Sequence, residues 1–524
     1  MTARTELEAI VEQNFNSLSD MVRRHARTDA QNVALLSGVD GRKLSYAQLD
    51  QEMDRVAAAL QHDGFGPGDV LAICATASIA YAVVYLGTLR AGVAVAPLAP
   101  AAGADALRAM LDNAAARMLF VDVEVAAALR ATPGSLPPLV ALDDSHVAPG
   151  LRDWLAPAGA QPKPVSVDPD SPFNIIYSSG TTGTPKGIVQ SHRMRWQHVR
   201  RALPLGYGAG AVTLLSTPLY SNTTLVSFIP TIALGGTVIL MPKFDVAGFL
   251  SLAEKHRVTH SMLVPVQYKR IMQHGDFGKH DLSSFKMKFS TSAPFEAAVK
   301  ADVLMRWPGG LTEWYGLTEG GGTCVLRAHE HPDKLHTVGH PMDGHDIRII
   351  DEQGNEVAPG TAGEVVGRSP AMMSGYYKDP EKSAEAEWFD AQGERYIRTG
   401  DVGRFDGDGF LTLLDRKKDM IISGGFNVYP SDLEAALAQH EAVAEASVIG
   451  IPSERWGETP LGVVVLRPGK QATGEELTAW ANQRLGKTQR LSAVQIAAVL
   501  PRSAIGKVLK RELRDQYLKR TPSQ

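Results

Sequence analysis

A chain of 524 residues exceeds the ~250–300 that one hydrophobic core usually serves, so at least two domains are expected. Hydrophobic residues at 44% and charged residues at 21% exclude a disordered or collagen-like chain, and a net charge of −4 offers no global attraction for nucleic acid. Two cysteines, Cys74 and Cys324, exclude a disulfide framework or a cysteine-built zinc site and suit a reducing, cytoplasmic compartment.

The N-terminal stretch lacks the apolar core of a signal peptide. Ser45 and Gln48 have capping-box spacing, and Tyr46, Leu49, Met53, Val56 and Leu60 share one face, which predicts a helix over Leu44–Leu60. Val70–Ala75, Met118–Val121, Asn174–Tyr177, Thr237–Met241 and Ser261–Val264 read as strands, with helices at Ile79–Arg90 and Phe249–His256. Val70–Leu89 and Tyr207–Pro242 carry no charge and are long enough to span a membrane, but Thr76, Ser78, Pro218, Pro230 and Gly235-Gly236 interrupt them, so both are expected in a buried core. Thr132–Pro172, rich in Pro, Ala and Asp, is expected to be a surface excursion.

After about residue 340 the short runs Asp346–Ile350, Gly363–Val366 and Phe410–Leu414 alternate with Gly/Asp turns, a pattern of antiparallel sheet or a small barrel. The charged cluster Asp415–Asp419 follows. Beyond it, helices at Ser431–His440 and Glu475–Leu485 alternate with strands at Ala446–Ile451 and Leu461–Leu466. The fold expected is α/β. A large N-terminal domain, 1–415, holds α/β subdomains and a small barrel-like part, and a small α+β domain fills 416–524.

Strand Asn174–Tyr177 runs into Ser178-Ser179-Gly180-Thr181-Thr182-Gly183-Thr184-Pro185-Lys186-Gly187. Gly180 and Gly183 let the backbone approach an anion, the hydroxyls add donors, and Lys186 adds a point charge. This is a triphosphate loop but not a Walker A loop, because Pro185 precedes the lysine and Gly187 follows it. It resembles the phosphate loop of the acyl-adenylate-forming superfamily, which includes acyl-CoA synthetases, 4-coumarate–CoA ligases, luciferases and adenylation domains of peptide synthetases. Further segments agree with that family in order along nearly the whole chain.

The resemblance assigns roles as follows. In Trp314–Glu319, Tyr315 and Gly316 face the adenine, Thr318 reaches the α-phosphate, and Glu319 holds Mg²⁺. Ser292 and Ala293 run along the adenylate. Asp401 resembles the ribose-binding aspartate and Arg416 a second ribose or phosphate contact. Lys418 resembles the hinge between the domains, Gly424-Gly425 the pantetheine tunnel, and Lys507, in Leu500–Leu513, the mobile catalytic lysine. The neighbouring Lys510, Arg511, Arg514 and Lys519 read as a solvated face.

The implied chemistry has two halves. A carboxylate first attacks the α-phosphorus of ATP and displaces pyrophosphate. The small domain then swings, removes the lysine, and lets a thiol displace AMP. The expected acceptor is coenzyme A, because the chain stands free of carrier and condensation domains. Loading of a carrier protein, or a non-catalytic acyl- or nucleotide-binding relative, is the alternative. The acyl pocket implied by resemblance includes Tyr220, Ser221, Thr224, Gly320, Gly321 and Gly322. These are small or apolar, the glycines suggest room for a ring or chain, and no cation stands in Leu219–Phe228, so a hydrophobic aromatic, hydroxycinnamic or fatty acid is favoured over a dicarboxylate. The expected partners are therefore a small carboxylic acid, ATP and CoA, with homodimerisation allowed and no nucleic acid or transmembrane segment. The sequence departs from its relatives at Ser221, where many carry histidine, and at Trp314, where glycine is common. His329, His331, His336 and His340 cluster near Glu330 and Asp333, but no His-Glu-x-x-His pattern supports a metal hydrolase.

Overall fold

A strand that is apolar at every position needs cover on both faces, and Val70–Cys74 is buried throughout. Helix Ile79–Arg90, capped by Ser78, follows it and is buried from Tyr81 to Arg90. The computed structural model describes residues 3–143, 145–178, 186–423, 426–486, 489–503 and 507–520. The chain divides into two compact units. The first combines Met1–Leu335, Pro341–Asp346 and Arg368–Ile397, and the second combines His336–His340, Ile347–Gly367 and Arg398–Gln524.

One sheet of the first unit runs in the order Gly375–Tyr376, Lys186–Ser191, Pro172–Ser178, Ala94–Pro97, Val70–Cys74, Leu119–Val121, Leu139–Ala141. The last five of these pair in parallel, and the Pro172–Ser178/Lys186–Ser191 hairpin is antiparallel. Leu139–Ala141 lies inside the stretch expected as a surface excursion. That expectation was wrong for this segment. Val140 and Ala141 are buried, and the strand closes one sheet edge, so a Pro-rich composition concealed a short paired strand.

A second sheet of this unit runs Thr323–Arg327, Gly310–Gly316, Met287–Ser290, His260–Leu263, Val212–Leu215, Thr237–Leu240, Val33–Ser37, Lys43–Ser45, parallel in its middle and antiparallel at these ends. Helix Tyr46–His62 starts from the Ser45–Gln48 capping box and buries the expected apolar face. The two uncharged stretches are core strands and helices, and among the described residues no helix is long and apolar enough to cross a membrane.

Strand Gly310–Gly316 is anchored by a buried ion pair between Glu313 and Lys300 of helix Ala297–Arg306. Burial pushes the Glu313 carboxyl up to about 7 against the opposing pull of Lys300. Lys300→Met removes that pull. We expect it to cost about 3 kcal/mol at pH 8, because a lone buried carboxylate remains. A carboxyl whose folded pKa lies above its unfolded value loses stability as pH rises, so the deficit should shrink toward pH 5 as Glu313 takes up a proton. Thermal unfolding of both proteins at the two pH values measures this, and a pH-independent deficit would contradict the assignment.

In the second unit, Leu411–Arg416 pairs antiparallel with Arg395–Phe405. A further sheet runs Phe426–Val428, Ile421–Ser423, Gly457–Leu466, Val443–Ser453, with Ala493–Ile496 parallel to Gly457–Leu466. Helices Pro430–Ala438 and Gly474–Asn482 pack over it through Leu433, Leu437, Leu477 and Ala481. Lys510 is not the solvated cation expected from the charge pattern. It pairs with Glu434 at 2.9 Å, and that carboxylate also accepts the Val448 N–H at 2.7 Å.

Candidate active site

Ser178 and Lys186 are cross-strand partners, so the phosphate loop leaves and rejoins the first unit at one end of a buried hairpin. Ser179, Gly180, Thr181 and Thr182 lie outside the described residues, as do the side chain of Ser178 and both Gly424 and Gly425. Lys186 places Nζ 5.0 Å above the Tyr376 ring, and the Tyr376 hydroxyl donates to Glu319 Oε1 at 2.9 Å. Burial, then the Glu319 charge, pushes the Tyr376 hydroxyl well above its ordinary range, so it stays protonated and donating. Tyr376 was missed at the sequence level. Its signal was the Gly-Tyr-Tyr-Lys-Asp-Pro run, which reads as an ordinary turn.

A buried polar network lies behind Thr318. Gln190 Nε2 donates to the Thr318 carbonyl at 2.7 Å, Asn174 donates to Gln190 Oε1 at 3.0 Å, and Arg195 donates to Asn174 at 3.0 Å, to Asn222 at 2.9 Å and to Gln190. Arg195 belongs to helix His192–Ala202, which directly follows the hairpin, so one short segment sets both the loop and the Thr318 turn. Such amide–guanidinium webs are invisible to periodicity because their members sit on different elements.

Tyr315 is half-buried on strand Gly310–Gly316, and Ser292 holds a left-handed backbone at φ 81° with Ala293 directly after it. That conformation disfavours a serine; its hydroxyl is tied to Thr223 at 2.6 Å. A cavity of about 100 Å³ is lined by Thr291, Ser292, Gly316, Thr318 and Gly320 together with Met194, Val226 and Trp314. Of the expected acyl-pocket residues only Gly320 lines it. Thr224 turns its hydroxyl to Thr217 and the Pro218 carbonyl, while its neighbours Asn222 and Thr223 face the cavity. Tyr220, Ser221, Gly321 and Gly322 are not on its wall.

Two sequence arguments about this pocket require correction. Gly320 does not open space for a ring: a Cβ there would sit 1.8 Å from the Ala371 carbonyl oxygen, so its missing side chain accommodates backbone. A cation does stand in the pocket. Leu219–Phe228 carries none, but Arg201 lines the cavity from helix His192–Ala202.

The second unit gathers the other group. Arg416 and Asp401 are cross-strand partners, and Nε meets the carboxylate at 2.7 Å. Lys507 is held by its own backbone, its carbonyl accepting the Ser503 N–H at 2.8 Å. Burial, then the Arg416 and Lys418 charges, pushes the Lys507 ammonium down to about 8, with Asp401 and Asp419 opposing. Lys418 itself is exposed. His329 and His340 donate from Nδ1 to the backbone carbonyls of Leu311 and Gly409, and among the described residues no group of three or more His, Cys, Asp or Glu could hold a metal ion.

Glu319 Oε2 makes no hydrogen bond among the described residues, so one carboxylate oxygen is available to a hard cation that also takes phosphate oxygens. The set fits Mg²⁺ held jointly with a nucleotide.

An α/β scaffold with a lysine, a tyrosine and a carboxylate gathered at the end of one hairpin is suited to an enzyme that handles a nucleotide. Comparison with known families makes the class specific. AMP-binding enzyme matches residues 22–377, and AMP-binding enzyme C-terminal domain matches residues 432–507. The chain belongs to the acyl-adenylate-forming superfamily. It is 33% identical to a feruloyl-CoA synthase from an Amycolatopsis species, covering 94% of this chain and 98% of that one. It is 32% identical to the fatty acid–[acyl-carrier-protein] ligase ScoC of Streptomyces coeruleorubidus, covering 94% and 95%. The solved amide bond synthetase McbA of Marinactinospora thermotolerans superposes with a TM-score of 0.84 at 29% identity, covering 95% and 99%.

Proposed function

We propose that this chain is an ATP-dependent carboxylate–CoA ligase of the cytoplasm that forms an acyl-adenylate and then an acyl-CoA thioester. The observation that carries the reading is the cavity shared by Thr318, Gly316 and Ser292, standing in a scaffold of this family beside Glu319 and Lys186. In the first half-reaction a carboxylate oxygen bonds to the α-phosphorus and the bond to pyrophosphate breaks. Lys186 and the loop hydroxyls offset the polyanion, Tyr315 and Gly316 take the adenine, Asp401 and Arg416 the ribose, and Lys507 supplies a cation where charge develops. Mg²⁺, held by Glu319, would neutralise phosphate charge. In the second half-reaction a thiolate bonds to the acyl carbon and AMP departs. The mobile segment in this reading is 416–524, hinged at Lys418, with Gly424-Gly425 lining the thiol path.

The relatives differ in acceptor, being named for CoA, a carrier protein and an amide product, so similarity leaves the acceptor open. CoA is the acceptor proposed here, in line with the feruloyl-CoA synthase relative. Met194, Val226, Trp314 and Leu317 give the cavity an apolar wall, which suits an acid with an apolar body. The test is a panel of aryl, hydroxycinnamic, alicyclic and fatty acids assayed for AMP release with and without CoA. Turnover that rises with CoA and yields the thioester supports the reading. AMP turnover indifferent to CoA removes the thioester half, and no acid-dependent ATP–pyrophosphate exchange with any acid favours a binding relative.

A further inference from the structure

Helix His192–Ala202 turns Arg195, His198 and Arg201 toward the same interior region, and their surroundings differ. Arg195 spends its donors on Asn174, Gln190 and Asn222. Among the described residues Arg201 has no such partners. Its guanidinium carbon lies 4.3 Å over the Trp314 ring, and its Nε is buried with no hydrogen-bond partner. Among the described residues no carboxylate forms an ion pair with it, and none lines the inner cavity.

Burial, then Arg195, pushes the Arg201 guanidinium down to about 10, so it remains a cation at neutral pH. The nearby imidazoles do not share its charge. Burial drives His198 well below its ordinary value and His345 to about 4, and His345 Nδ1 is likewise buried without a partner. Arg201 also lines a second, outer cavity of about 360 Å³, whose wall includes Val11, Gln197, Arg200 and Met342. Glu12 and Asp343 stand on that outer wall, and neither pairs with Arg201. The arginine thus lines both the inner cavity, whose wall also holds Thr318, and the outer one.

A half-buried cation whose Nε is shut from water without a partner is costly, and a protein that keeps one beside a ligand cavity gains from an anion that arrives with the ligand. An inner cavity of about 100 Å³ falls short of the ~300 Å³ of ordinary ligand clefts, which suits a compact acid. We propose that Arg201 recognises a second anionic group at the far end of the substrate acid, so that the enzyme selects a compact acid with an apolar body and charge at both ends. Trp314 faces that body and fixes the guanidinium plane, and Arg201 closes the way to the outer cavity against longer tails. This assignment rests on the adenylation reading and names the class of acid for the same pocket.

The experiment compares terephthalate, 4-acetylbenzoate and 4-methylbenzoate, acids of one shape bearing an anion, a neutral acceptor and neither. kcat/KM for ATP–pyrophosphate exchange and equilibrium binding by calorimetry are measured for the wild type, Arg201→Met and Arg201→Lys. In the wild type terephthalate should exceed 4-methylbenzoate by about 10–100-fold, the scale of a charge-assisted contact in a dry pocket. That ratio should collapse in Arg201→Met and be partly restored in Arg201→Lys, with 4-acetylbenzoate between the two. Equal use of terephthalate and 4-methylbenzoate by the wild type, or a ratio unchanged in Arg201→Met, overturns the inference while leaving adenylation intact. Terephthalate binding that depends on Arg201 without exchange for any acid upholds it and sinks the proposed catalysis. Neither binding nor exchange of the dianion overturns it.

Discussion

Lys507→Ala should lower acid-dependent ATP–pyrophosphate exchange by about 10²–10³-fold or more, while leaving thioester formation from a supplied acyl-adenylate largely intact. The first half-reaction brings a carboxylate onto a polyanion, so a cation matters most there. The second expels AMP from a mixed anhydride and has no such repulsion to overcome. The position of Lys507 adds a pH signature. Burial first, and then the Arg416 and Lys418 charges, lowers its ammonium to about 8. A lysine is charged below its pKa, so kcat/KM for adenylation should fall about tenfold per pH unit above roughly pH 8 rather than above pH 10. Lys507→Arg should flatten that limb at a reduced rate, since a guanidinium does not titrate in the range. Equal losses in both half-reactions of Lys507→Ala would remove the assignment.

Gly320→Ala should reduce activity by about 10²-fold and lower stability by about 1–3 kcal/mol. Gly320 sits at φ 73°, a left-handed conformation that strains any side chain, and its Cβ would lie 1.8 Å from the Ala371 carbonyl oxygen. Backbone must therefore move. The contacts at stake hold the turn next to the reacting groups: Met373 N–H donates to the Glu319 carbonyl at 2.8 Å, and the Ser369 hydroxyl donates to the Gly320 carbonyl at 2.6 Å. A shift of Thr318 and Glu319 by an ångström suffices for the rate loss. Gly278→Ala is the control, because a Cβ there meets nothing within 4 Å. If Gly320→Ala matched that control in both exchange rate and melting temperature, the close approach to Ala371 would be refuted.

The strand leading into the phosphate loop, the helix Tyr46–His62 and the alternation of strands and helices were legible because each depends on local pattern: a capping box, a period of apolar residues, a glycine-rich break; the return strand Lys186–Ser191 that closes the hairpin was not. The edge strand Leu139–Ala141 was not, since a strand that short is fixed by its neighbour Leu119–Val121 and not by its own composition. The charge pattern of Lys510–Lys519 likewise gave no sign of Lys510's partner, because Glu434 lies on another helix far away in the chain.

The same division runs through the site. Resemblance of the motifs to the family is what nominated the groups proposed to meet a nucleotide: Lys186, Thr318, Glu319, Asp401, Arg416 and Lys507. Only the tertiary structure decided what surrounds them. It brought Tyr376 to Glu319, threaded Gln190, Asn174 and Arg195 behind Thr318, and pressed Ala371 against Gly320. It also set Arg201 over Trp314 on the cavity wall. The physical reason is that ion pairing, desolvation and steric exclusion act over a few ångströms of space, and the partners they join lie tens to hundreds of residues apart along this chain.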